Sequence, residues 1–512
     1  LRAGAKVNDI GASIYGSSEF YNMAGGNAEG FVRALYQRIL GRNADAGGLA
    51  YWKPKVVSNR GAVAADFFAS LESRTDRVRS LYGQILWRYP DPAGQAHWVD
   101  QLRTVNDVRL AVLLASSSEY YNNAKECDLI NGRFERAGKA QHNGNSFSPV
   151  ISGDGRHVAY SSAASNIVPG DTNGQIDVFV WDRYRGITSR ITNGNAMSRQ
   201  ASISRNGRFV AFQSFATNLV GGDTNGQPDI FRWDRDTGQT IRITNGNGAS
   251  GIPSISGDGH AVAFLSEASN LVTGDTNNKM DVFRWTMADG IVGITHNAGT
   301  GNTKANGDSD WPTISADGST IAFVSKATNL VANDTNGHSD LFVHRGGSIK
   351  AVTKGNMATD ERPSLSADGQ VVVFASPASN LVANDTNNSF DIFRHHLQQG
   401  TVSVTYGAGN GDSKAPSVSA SGNEIAFEST ASNHVPGDTN GKQDVFRWRH
   451  DTPGYERVSV SQTDQQSNDM SLEPSISDDG RLVAFESYAS NLVPGDNNGT
   501  GDIFIRHYFP LM

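Results

Sequence analysis

Residues 152–179 read SGDGRHVAYSSAASNIVPGDTNGQIDVF, and the same pattern returns six more times before residue 505. Each copy holds a turn glycine, an aromatic, a serine, an asparagine, and then Asp-x-Asn-x-x-x-Asp-x-Phe. The first Asp is Asp171, Asp223, Asp275, Asp334, Asp385, Asp438 or Asp496. The second stands six residues on, at Asp177, Asp229, Asp281, Asp340, Asp391, Asp444 or Asp502. Between them sit Asn173, Asn225, Asn277, Asn336, Asn387, Asn440 and Asn498. A period of 51 to 59 residues with several short strands per unit marks a radial repeat array.

Four strand-like segments fit in each unit. In the first unit they cover 148–152, 157–162, 177–182 and 187–192. A turn pair separates the first two: Asp154-Gly155, Asn206-Gly207, Asp258-Gly259, Asp317-Gly318, Asp368-Gly369, Ser421-Gly422 and Asp479-Gly480. Such pairs between apolar runs predict hairpins, with type I′ geometry expected because both central residues would then take positive φ. An aromatic follows each glycine by five residues, from Tyr160 to Phe485, and another follows each second Asp, from Phe179 to Phe504. Seven units of four strands predict an all-β, seven-bladed β-propeller over 129–512. The last unit lacks a fourth strand, and 133–137 sits where one precedes every later unit. That segment is expected to complete the last blade and leave no unpaired edge.

The Ser-x-Asp-Gly-x-x-x-Ala-Phe core, as at Ser256 to Phe264, resembles the WD40-like repeats of TolB-type propellers. The resemblance implies architecture over about 148–508. It implies little about activity, because such propellers serve as binding platforms, enzyme lids and periplasmic assembly factors.

Residues 1–128 follow another rule. Phe31, Leu35, Ile39 and Leu40 recur at helical spacing, as do Val78, Leu81, Tyr82, Ile85 and Leu86. The stretch 31–52 realigns, at an offset of 46, on the stretch ending at Trp98. Asp45 and Asp91 precede the second apolar run of each copy and read as helix N-caps rather than catalytic groups, Pro92 taking the first helical position. A further element recurs at 18–21, 71–73 and 118–121. These features predict an all-α domain built on duplication. Leu35-Tyr36, Leu40-Gly41-Arg42, Asp45, Gly48 and Trp52 together resemble the bacterial domain-of-unknown-function 4214 family (DUF4214), and Trp87 departs from it where the family glycine stands. That resemblance implies a place in secreted or surface proteins and no established activity.

Composition narrows the functional classes. A formal charge of −8 without a basic stripe argues against nucleic acid. Cys127 is the single cysteine, so neither a disulfide framework nor a cysteine zinc site is expected. No apolar run reaches the ~18 residues of a membrane helix. The chain starts at Leu1 rather than Met, which leaves a removed leader open.

The acidic loop carries the best functional clue. Calcium takes six to eight oxygens on a tightly curved loop. Here two carboxylates and an amide keep register in all seven copies, with Gly174, Gly226, Gly337, Gly441 and Gly499, or Asn278 and Asn388, at the tightest point. All 21 Asp and Asn residues named above are candidate Ca2+ ligands. The competing reading is a turn whose Asx side chains bond their own main chain. Asn166 and its equivalents are expected to cap backbone, and Ser162 and its equivalents to brace the loop. No nucleophile elbow, zinc-protease motif, phosphate loop or dinucleotide fingerprint is present, and the histidines do not recur with the repeat. The expected function is a non-catalytic, secreted or cell-surface calcium-binding scaffold. Its partner would be a protein, a glycan or further copies of itself in an extracellular layer or filament. The alternatives are a polysaccharide lyase or hydrolase with its site in the channel, and a periplasmic TolB-like assembly factor.

Overall fold

The computed structural model describes residues 7–40, 44–86, 90, 92–105, 107–117, 134–137, 142–296, 304–405, 409–452 and 454–508. Gly41, Trp87, Asp91, residues 118–121, Cys127 and Arg133, on which parts of the sequence reading rest, lie outside them. The chain divides into a helical unit and a propeller.

In the helical unit the duplication is visible as repeated burial. Val32 and Val78, Tyr36 and Tyr82, Val56 and Leu102, and Ala64 and Leu110 are each buried in the two copies. They belong to two separate apolar clusters, the first around Ala28–Leu40 and the second around Leu71–Leu86. Asp45 is the N-cap of Ala46–Ser58, accepting the Gly48 N–H at 2.7 Å, as its position before a run of small residues predicts.

Seven four-stranded antiparallel sheets make the propeller. The first blade runs Ser146–Ile151, His157–Ser162, Asp177–Asp182 and Ile187–Arg190 from the axis outward. Its second strand is buried at every position, because a neighbouring blade covers each face, while the outermost strand is only half-buried. The two repeat aromatics stand opposite each other in register, as Tyr160 and Phe179 do. Their ring centroids lie 5.4 to 6.0 Å apart across the seven blades. Each pair adds about 0.5–1.5 kcal/mol beyond its buried area.

The turns between the first two strands differ from the type I′ expectation. Only the glycine of each pair is left-handed, as with Gly155 at φ 69°, and its N–H returns to the serine carbonyl three residues back, Gly155 to Ser152 at 2.8 Å. The residue before it is held by its own side chain, whose oxygen accepts the N–H two residues on, as Asp154 does from Arg156 at 3.0 Å. The backbone just ahead of the turn joins the blades. Asp154 N–H donates to the Arg205 carbonyl, and Arg205, Gly257, Ala316, Ala367, Ala420 and Asp478 continue the circle, which closes on Gly153. The seven hydrogen bonds are 2.9 to 3.1 Å long. A β-carbon on Gly257 would come within 2.9 Å of the Ala316 side chain, so small residues recur in this circle.

The ring closes where the sequence predicts. Phe134–Arg136 pairs antiparallel with Asp502–His507, setting Glu135 opposite Ile505. Arg183 donates from Nε to Glu135 Oε2 at 2.9 Å, and His507 Nε2 lies 3.0 Å from the other carboxylate oxygen. Burial alone would raise the Glu135 pKa, but the charges of Arg183 and His507 outweigh it and hold the carboxyl well below the usual range.

One blade breaks the pattern. Six innermost strands are six residues long and bulge at a residue of positive φ: Ser148, Gln200, Ile252, Trp311, Ala415 and Glu473. The fifth blade's innermost strand is Ser364–Leu365 alone, after one inserted residue in the stretch Thr359-Asp360-Glu361-Arg362-Pro363.

Candidate functional site

All seven acidic loops are wired alike. The second aspartate is buried, and its Oδ2 accepts from the asparagine amide at 2.7 to 3.0 Å, as in Asn173 to Asp177 and Asn225 to Asp229. The asparagine oxygen accepts the N–H two residues on, Gln175 to Asn173 at 3.1 Å in the first blade. In six blades a hydroxyl donates to the aspartate's Oδ1: Thr192, Thr244, Thr295, Thr353, Thr405 or Ser459. These hydroxyls escaped the sequence reading. Their signal was the recurring Ile-Thr-Asn-Gly-Asn at 191–195 and 243–247. Positive φ appears at all seven tight points, including Asn278 at 54° and Asn388 at 55°. Asn166 caps backbone as expected, accepting the Asn143 N–H at 3.0 Å, and Ser162 braces the loop by accepting from Ala164.

The loops differ in what neutralises them. The residue opposite the third-strand phenylalanine is Arg136, Arg190, Arg242 or Arg457 in four blades, and Gly293, Ala351 or Ser403 in the third, fourth and fifth. Each arginine reaches both aspartates. Arg242 Nη2 lies 2.7 Å from Asp229 and 3.3 Å from Asp223, and Arg190 reaches Asp171 and Asp177. First carboxyls are raised in loops with and without the arginine: burial and Asp502 raise Asp496 beside Arg136, and burial raises Asp438 beside Arg457. Burial and Asp391 raise the Asp385 carboxyl, and burial and Asp340 raise that of Asp334. In the third blade the Lys304 ammonium bonds the loop at Gly274 O and Thr276. Among the described residues no group of three or more His, Cys, Asp or Glu is placed to hold a metal ion.

The channel is the second candidate. Its wall presents Ser148, Gln200, Ile252, Trp311, Arg362, Ala415 and Glu473 around a cavity of about 360 Å³. Trp311 also borders a cavity of about 600 Å³ with Asp310, Lys326 and Asp360. Side chains at one second-strand position brace the innermost strand of the next blade. Glu428 accepts the Glu473 N–H at 2.7 Å, Glu486 accepts that of Ser148, and Gln213 donates to Ser250 O at 2.9 Å.

Burial first, and then the charge of Glu473, push the Glu486 carboxyl up to about 7. A group raised on folding contributes stability that is full below its unfolded pKa and is lost as pH rises through the folded value. The propeller should therefore lose about 2 kcal/mol between pH 5.5 and 8 through this one group. Glu486→Gln should flatten that slope in chemical denaturation at both pH values, and an unchanged slope would refute the assignment.

Comparisons with known proteins give one family match and several distant structural likenesses. Residues 11–77 and 63–124 each match the family described as Domain of unknown function (DUF4214). No curated protein matches the sequence. The fold is similar to TolB from Acinetobacter baumannii, at 22% identity and a TM-score of 0.32, over 50% of this chain and 52% of that one. The chain thus spans about half the length of that structure. It is also similar to an oligogalacturonate lyase from Vibrio parahaemolyticus, at 12% identity and a TM-score of 0.46, over 74% and 97% of the two chains. An acylaminoacyl peptidase from Pyrococcus horikoshii shares 10% identity at a TM-score of 0.43, over 67% of this chain and 49% of that one. No helix among the described residues is long and apolar enough to cross a membrane. Residues 11–77 and 63–124 match DUF4214, and the described residues from 134 onward form a seven-bladed propeller with TolB among its structural neighbours.

Proposed function

We propose that this chain is a non-catalytic binding scaffold, secreted or on the cell surface, whose propeller channel engages a glycan or protein. One observation carries the reading. The framework residues repeat almost unchanged around the ring, whereas the seven channel positions hold seven different residues, Ser148, Gln200, Ile252, Trp311, Arg362, Ala415 and Glu473. A repeat that is constant in its bracing and varied only on its inner wall is suited to recognising one asymmetric ligand. Binding should be abolished by exchanges on that wall and survive exchanges in the acidic loops. Consumption of a glycan substrate by the purified chain would replace this reading with that of a channel enzyme.

The calcium proposal narrows to the fourth and fifth loops, since the third already holds the Lys304 ammonium at Gly274 O and Thr276. In the other four a guanidinium already supplies the positive charge between the aspartates. An ion bound only by the folded state stabilises it by about 2.7 kcal/mol at one hundred times its Kd. Each bound ion should then raise Tm by about 3–4 °C over the chelated protein. Ser403→Arg, which copies Arg242 into the fifth blade, should remove that blade's share of the shift. An identical Tm in calcium and in chelator would remove the ion from the proposal.

A further inference from the structure

The geometry points to a neutral oligosaccharide as the ligand, stacked on Trp311 where the fourth and fifth blades meet the channel. This rests on the binding-scaffold reading and narrows its ligand. Trp311 is the one tryptophan on the inner ring, and it borders both cavities, of about 600 and 360 Å³. Both volumes fall in the ~300–1,000 Å³ range of small-molecule sites. Next to it the fifth blade abandons the repeat: the inserted residue shortens the innermost strand to two residues and brings Asp360 to the larger cavity, and Glu361 and Arg362 to the smaller. A repeat protein that breaks its own rule at one place marks that place as functional.

The chemistry of the wall selects the ligand class. Among the described residues, neither the Arg362 guanidinium, on which the charge of Glu473 acts, nor the Trp311 indole N–H makes a hydrogen bond. These are free donors. Asp310 and Asp360 supply acceptors beside them, and Lys326 a further donor. A polycation would meet the guanidinium and leave these donors unmatched. A polyanion would meet the carboxylates, which outnumber the cations in both cavities. Hydroxyls both donate and accept, so a neutral sugar satisfies the two sets together, while its C–H face covers the indole. The backbone at Trp311, held at φ 51°, is one the repeat tolerates with a small side chain, since Ala415 adopts φ 48° at the equivalent place. Trp311→Ala therefore keeps the fold.

The test is calorimetric titration of the full chain with three probe sets: neutral linear oligosaccharides of β-glucan, β-mannan and xylan; oligogalacturonate; and a lysine-rich peptide. Each is run at low and high salt. At least one neutral oligosaccharide should bind, with affinity that changes less than about twofold with salt. Trp311→Ala should weaken it about 100-fold, and Asp360→Asn or Arg362→Met about 10-fold each. Steeply salt-dependent binding of the peptide alone, binding of oligogalacturonate alone, or no binding at all would overturn the assignment. Failure here together with self-association in sedimentation leaves the scaffold standing. Binding followed by cleavage of the sugar keeps the site and sinks the non-catalytic reading.

Discussion

Arg242→Ala should lower the stability of the propeller by about 3 kcal/mol at pH 7.5, and by clearly less near pH 4.5. Arg242 is nearly buried and lies between Asp229, 0% exposed, and Asp223, 8% exposed. Removing the cation leaves two carboxylates in poor solvent, which costs more than the ion pair itself contributes, because the penalty is that of an uncompensated buried charge. Burial already raises the Asp229 carboxyl with the arginine present, and the second blade would come to resemble the fifth. A carboxyl raised on folding gains stability as pH falls, so protonation of one partner recovers part of the loss. Replacing all three groups with uncharged ones of similar size (Arg242→Met, Asp223→Asn and Asp229→Asn) should recover most of the rest. Urea midpoints at the two pH values measure this. A loss that is the same at both, or that persists in the triple variant, would show that the arginine acts by packing alone.

How far the sequence reached follows from which contacts repeat. The blades were legible because spacing is conserved by copying: an aromatic five residues past a glycine, an Asp six past an Asp. The closing strand was legible because a unit was visibly one strand short. The turn type was misjudged because Asx-Gly is read from its hairpin preference, whereas each Asx or Ser side chain here accepts the N–H two residues on and keeps its own residue out of the left-handed region. The asparagines of the acidic loop looked like ligands because an amide's side toward its neighbours is not written in the sequence. Their amide groups donate to the buried aspartate. The alternation of arginine with Gly293, Ala351 and Ser403 was present in the letters too. It carries no meaning until strand pairing shows that those residues occupy one place. Trp311 stayed hidden for a similar reason. Nothing in the repeat pattern singles it out, and only the bulge at φ 51° places it on the channel wall.

Phe134→Ala should cost about 3–5 kcal/mol and lower the cooperativity of unfolding, an effect larger than truncating an aromatic in the helical unit would have on the propeller. The ring of Phe134 is 5% exposed, lies edge-on to Phe485 at 6.2 Å, and is covered by the Arg506 guanidinium. It anchors a strand of only three residues, so its apolar contact is most of what holds that strand beyond Arg136 and Glu135. The strand pairs residue 134 with residue 506, and a contact of that range is made last and lost first because closing the longest loop costs most entropy. Once it leaves, Asp502–His507 becomes an open sheet edge carrying buried Ile503 and Ile505. Such an edge pairs with another chain. Replacing 134–136 by Gly-Ser-Gly should therefore produce concentration-dependent oligomers in sedimentation at pH 7.5, with early proteolysis in the seventh blade. Glu135 gives the closure a pH dependence of its own. Its carboxyl is held low by Arg183 and His507, so the stability it contributes is present above the ordinary carboxylate pKa and is lost as pH falls below it. Oligomers should accordingly appear in the intact chain on acidification well before the other blades unfold. A Gly-Ser-Gly variant that stays monomeric and cooperative would mean that the six other blades hold the ring without its clasp.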